Sequence, residues 1–224
     1  MTVVLLWLAA LLTFGFAVNL GSRYRARGFA FYLWWSLSFI LYTVAFAVEA
    51  LSVAHDYNLA EYQLYIVSSS GLVGFMSVGT GYLAFSQRMA KIYAIFIMAL
   101  VVALVLTTYL VPPAVDASWA RLSAGAGITG PTRLIYIVMS SLGGTVVLVG
   151  ALWSWWKTRR FYNLLIAAGV MVSSSAGALA SQGRITAVFP FVNIAAVTLI
   201  FLGYIYSRPS AAGRYAKSKV EQTT

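Results

Sequence analysis

Seven apolar runs, each at or near the length needed to cross a bilayer, constrain this chain of 224 residues more than any other feature. A spanning helix needs about 20 consecutive apolar residues. The runs are Val3–Leu20, Phe29–Leu51, Leu64–Phe85, Ile92–Val111, Leu134–Trp156, Phe161–Ala180 and Val188–Tyr206. Lipid offers a backbone no hydrogen bonds, so each run is predicted to satisfy its own as an α-helix. The composition agrees: 61% of residues are hydrophobic and 9% charged, where a soluble domain carries roughly 25% charged residues.

The gaps between the runs differ sharply in charge. Arg23, Arg25, Arg27, Arg88, Lys91, Lys157, Arg159, Arg160, Arg208, Arg214, Lys217 and Lys219 fall in the first, third and fifth gaps and the tail. The second, fourth and sixth gaps hold only Arg121, Arg133 and Arg184, together with the acids Asp56, Glu61 and Asp116. Basic loops stay in the cytoplasm. The expected fold is therefore all-α: an integral membrane bundle of seven transmembrane helices, N-terminus outside and C-terminus cytoplasmic. Residues 1–207 form the membrane domain. Residues 208–224 form a basic cytoplasmic tail with too few apolar residues to fold alone. No Lys or Arg precedes the first run and three Arg follow it, a pattern of an uncleaved first helix rather than a signal peptide. The expected location is the plasma membrane of a prokaryote. The net charge of +10 sits in gaps and tail, where its natural partners are the lipid bilayer and its anionic inner-leaflet lipids, not nucleic acid.

The third run contains SSSGLVGFMSVGTGY, residues 68–82. Small residues let helix backbones approach closely in lipid, so Gly71, Gly74, Gly79 and Gly81 mark this as the central, most crowded helix. Two short echoes suggest an offset of four helices. Phe31-Tyr32 recurs as Phe161-Tyr162, and Gly81-Tyr82-Leu83 as Gly203-Tyr204-Ile205. They fit a 3+1+3 plan, two triplets of one orientation joined by a fourth helix. In layout alone, this resembles small sugar transporters of the 3+1+3 type.

Glu49 is the one acid inside an apolar run. An ionised carboxylate facing lipid costs a few kcal/mol, so Glu49 is expected to face protein or water. Tyr65, Ser69, Ser140, Ser141, Ser174 and Asn193 fall at a similar depth on four other helices. They form the candidate lining of an outward-facing polar pocket. Interhelical hydrogen bonding accounts for the same residues without a ligand.

Several chemistries are excluded. With no cysteine there is no disulfide, thiolate nucleophile or Cys metal site. The single histidine, His55, cannot build a multi-His centre. Lys91, Lys157, Lys217 and Lys219 all lie in gaps or tail, so a retinal Schiff base of the microbial rhodopsin kind has no lysine in the seventh helix. No metal and no cofactor is expected, and without a nucleophile–base pair at one depth neither is an enzyme. His55 and Asp56, with Glu61, are expected in a solvated outer loop. Trp119 is expected at headgroup depth in the Gly/Pro-rich stretch Pro112–Thr132. Trp34, Trp35, Trp153, Trp155 and Trp156 are expected in the inner aromatic belt. The expected function is a small transporter or channel-like carrier with its pocket near Glu49. The alternatives are a non-retinal seven-helix receptor or sensor, and a non-catalytic subunit that meets a partner or a second copy through its small-residue faces.

Overall fold

The computed structural model describes residues 2–55, 58–112, 128–180 and 189–207, without side chains at 2, 54, 55, 175–180, 189 and 190. The positions of Asp56, Trp119 and the basic tail from Arg208 lie outside the described residues. Those described form seven helices and no strand: α1 (Thr2–Arg27), α2 (Ala30–His55), α3 (Leu59–Ala84), α4 (Gln87–Leu110), α5 (Gly130–Thr158), α6 (Tyr162–Ala180) and α7 (Phe189–Tyr206). The first five are long and apolar enough to cross a membrane, and the described apolar stretches of α6 and α7 are shorter, Tyr162–Ser174 and Phe191–Tyr206. The described residues form an all-helical bundle, and its five long apolar helices are those of an integral membrane protein.

The helices overrun the apolar runs at their polar ends. Arg23, Arg25 and Arg27 end α1 instead of lying in a loop, and Arg88 and Lys91 begin α4. A helix continues into the headgroups because its backbone bonds stay satisfied there while long cationic side chains reach water. Glu61, expected in a loop, is the third residue of α3. Its amide donates to Asn58 Oδ1 at 2.9 Å, and the Asn58 amide returns a bond to Glu61 Oε2 at 3.3 Å, a reciprocal cap. His55, also expected in the loop, is the last residue of α2. Two turns at the basic end use the left-handed backbone region: Gly28 at φ 71° between α1 and α2, and Arg159 at φ 53° after α5.

Six helices close a ring in the order α1, α2, α3, α5, α6, α7, with α7 back on α1; α4 lies outside it, in the groove between α3 and α5. One apolar core fills the ring and draws residues from those six helices, Phe16, Phe39, Tyr42, Phe46 and Tyr204 among them. Phe16 joins three helices edge-on, with ring centroids 4.3 Å from Phe39 and 4.8 Å from Phe201. Two smaller cores seat α4, one around Leu104 and Met139, the other around Val78 and Ile97. The most apolar window of α3 is 72% buried, against 22% for α4 and for α5. Its glycines permit this. A Cβ at Gly71 would stand 2.9 Å from Leu41, and one at Gly74 would stand 3.2 Å from Ile97.

Candidate functional site

Two hydrogen-bonded sets of polar side chains lie toward the end that carries Glu49; other interhelical bonds lie outside them, such as Ser77 Oγ to the Tyr93 hydroxyl at 2.8 Å and Ser38 Oγ to the Leu72 carbonyl at 2.6 Å. The first ties α3 to α5. Ser69 Oγ lies 3.3 Å from the Tyr136 hydroxyl, and Ser70 Oγ lies 3.2 Å from Ser140 Oγ and 3.4 Å from the Tyr136 carbonyl. Consecutive serines reach one partner helix because 100° steps leave both flanking the same seam. The second set ties α2 to α6 and α7. The Tyr42 hydroxyl lies 3.4 Å from Ser173 Oγ, which donates to Asn193 Oδ1 at 3.4 Å.

Of the residues singled out from sequence, Ser69 and Ser140 belong to the first set and Asn193 to the second. Tyr65 is buried on α3. Glu49 is half-buried near the end of α2, seven residues and so two turns beyond Tyr42 on the same helix face; its carboxylate joins neither set. Ser141 and Ser174 are exposed on the surface of the bundle. Depth brought those two into the candidate lining; Ser174 Oγ lies beside Gly144 of α5, 3.8 Å from where its Cβ would stand. Tyr42, Ser70, Tyr136 and Ser173 complete the sets.

At the opposite end, where α3 and α5 finish and α2 and α6 begin, lies a cavity of about 240 Å³. Among the described residues, its polar wall includes Trp35, Thr80, Ser154, Lys157, Thr158 and Asn163, and none of those lining it is acidic. Trp35 was expected in the lipid-facing belt. It is instead 6% exposed and presses its indole edge onto Gly79. Its indole Nε1 is buried and finds no acceptor among the described residues. A tryptophan directly before a buried serine carries no sequence signal of its own. The signal lay in Gly79, whose missing side chain makes the room. Asn163 Nδ2 donates to Thr158 Oγ1 at 3.3 Å, and Thr158 Oγ1 donates to the Ser154 carbonyl at 2.7 Å, which fixes the α5–α6 corner of the cavity. Trp153 and Trp156, 5.5 Å apart, flank Lys157 on the outer surface.

The bundle thus carries hydroxyl pairs between α3 and α5 toward one end and a polar cavity at the other. Comparison with known proteins finds no matching family, no matching curated protein and no matching solved structure.

Proposed function

We propose that this chain is a small membrane carrier whose substrate passes between two helix triplets, α1–α3 and α5–α7. What carries the proposal is the asymmetry along the α3–α5 seam. Ser69 and Ser70 meet Tyr136 and Ser140 toward one end, and a polar cavity lies at the other, beside the contact of Thr80 with Gly150. Alternating access needs a path closed on one side of a site and open on the other. With N-terminus outside and the basic gaps in the cytoplasm of a prokaryotic cell, the closed end is the outer one. The state described is then inward-facing, and the polar sets with Glu49 form the outward half of the path.

The 3+1+3 plan supports this account. Moving every helix of the ring on by one triplet maps its neighbour relations onto themselves: α1–α2 onto α5–α6, α2–α3 onto α6–α7, and α3–α5 onto α7–α1. Each triplet also has a glycine close to a carbonyl at the start of its middle helix, though not in the register of the sequence echo. A Cβ at Gly79 on α3 would stand 3.2 Å from the Phe31 carbonyl at the start of α2, and one at Gly203 on α7 would stand 2.7 Å from the Tyr162 carbonyl at the start of α6.

The test is flux. The purified chain in proteoliposomes is expected to take up a small solute saturably from a panel of radiolabelled carboxylates, sugars and amino acids. Glu49→Gln is expected to uncouple that uptake from an imposed proton gradient. No saturable uptake of any panel member, with a cytoplasmic protein co-purifying through Lys157, Arg159 and Arg160, would replace the carrier with a sensor.

A further inference from the structure

The geometry points to a binding site for one phospholipid with a negatively charged headgroup, on the outer surface of the bundle where α5 ends. The reading needs the chain to lie in a bilayer and does not depend on transport. Trp153, Trp156, Lys157 and Arg159 line a surface cavity of about 350 Å³, inside the roughly 300–1,000 Å³ of small-molecule sites. Lys157 lies in the last turn of α5, and Arg159 caps it, its amide donating to the Trp155 carbonyl at 2.6 Å. The Arg159 guanidinium stands over the Trp155 ring, 5.7 Å from its centre. That contact uses the flat face of the cation and leaves its N–H fork for an anion. A phosphate accepts from such a fork at two oxygens, and the Lys157 ammonium adds a second full charge. The helix end itself opposes an anion with about half a charge, which two full charges outweigh.

Two further observations select a lipid. Val149 and, three, four and seven residues on, Leu152, Trp153 and Trp156 are exposed apolar side chains of α5. That spacing puts them on one helix face, an apolar stripe that leads from bilayer depth to the two cations. A phospholipid has the same layout, with acyl chains at bilayer depth and a phosphate at the interface. The indoles of Trp153 and Trp156, 5.5 Å apart, suit the boundary between the two halves, since each pairs an apolar ring with a polar N–H. The charges also lack a partner at their own end. Among the described residues the acids are Glu49 and Glu61, both at the opposite end of the bundle. An anionic headgroup supplies the missing counter-charge, and a zwitterionic one cancels its own phosphate.

Native mass spectrometry of the full chain tests this, after the chain is stripped of lipid in detergent and titrated with phosphatidylglycerol or phosphatidylcholine of the same acyl chains. One phosphatidylglycerol is expected to bind well before any further copy and to resist competition by phosphatidylcholine. Lys157→Gln with Arg159→Asn removes both charges, and asparagine tolerates the left-handed backbone that Arg159 adopts at φ 53°. A cation beside an anionic headgroup contributes about five-fold, so this double variant is expected to bind phosphatidylglycerol roughly 25-fold more weakly, with phosphatidylcholine unchanged. Lys157→Arg with Arg159→Lys keeps both charges and is expected to keep most of the affinity. Arg25→Gln with Arg27→Gln is an equal loss of charge at the end of α1 and is expected to leave the first phosphatidylglycerol in place. Equal weakening by the α1 pair would reduce the site to diffuse charge and overturn it. So would unchanged binding in the charge-free variant, or phosphatidylcholine binding as tightly as phosphatidylglycerol. Glycerol 3-phosphate competing as well as the intact lipid would make the ligand a soluble phosphate and overturn the lipid assignment.

Discussion

The indole of Trp35 fills the space that a side chain at position 79 would need: a Cβ built on Gly79 would stand 2.6 Å from Trp35 Nε1 and 3.2 Å from the Phe31 carbonyl. Gly79→Ala must push back either a buried ring or the backbone of α2. It is expected to cost about 1–3 kcal/mol, the usual penalty of overpacking a filled core. Gly15→Ala, with nothing within 4 Å of the new Cβ, is expected to be neutral or slightly stabilising. Thermal unfolding of the two variants in one detergent checks the contrast.

Ser70 and Ser140 hold the α3–α5 seam with oxygens 3.2 Å apart. Interhelical hydroxyl contacts of this kind average about 0.6 kcal/mol, so Ser70→Ala and Ser140→Ala should each be mild. The double variant should lose less than the sum of the two, since both singles break the same bond. A double-mutant cycle of unfolding free energies measures this, and strict additivity would mean that the pair does not interact.

Asn58 and Glu61 cap α3 reciprocally. Asn58→Ala is expected to cost about 1 kcal/mol. Glu61→Gln keeps an acceptor oxygen and is expected to cost much less, which a comparison of melting temperatures decides. If Glu61→Gln costs as much as Asn58→Ala, the charge of Glu61 rather than its cap bond is what matters.

Glu49 stands apart from both hydrogen-bonded sets. Glu49→Gln is expected to leave the melting temperature within a few degrees of the parent while altering the proton dependence of uptake. A large loss of stability with unchanged coupling would instead make Glu49 an anchor of the fold.

The number of helices and the crowding of α3 were legible because both are written in one dimension, as the length of apolar runs and the density of small residues. Which face of each helix meets its neighbours was not. A helix that is apolar all round carries no stripe to mark its inner side, so Ser141 and Ser174, chosen by depth, turn out to be exposed. The place of α4 outside the ring was hidden for the same reason. Trp35 was misplaced because its position near a helix end suits an aromatic belt as well as a core. Only the packing against Gly79 separates the two. The charge pattern predicted which gaps are basic, but not that Arg23 would fold back over the Tyr204 ring, 5.5 Å from its centre.

The account stands or falls on the cavity between the triplets being wet and reached from the cytoplasm while the Ser70–Ser140 seam is shut. The chain contains no cysteine, so single substitutions Ser154→Cys and Ser140→Cys can be probed with a membrane-impermeant maleimide on right-side-out and inverted vesicles. The account predicts that Ser154→Cys reacts in inverted vesicles only and that Ser140→Cys reacts in neither. Labelling of Ser154→Cys in right-side-out vesicles, or reaction at position 140 with silence at 154, would contradict it.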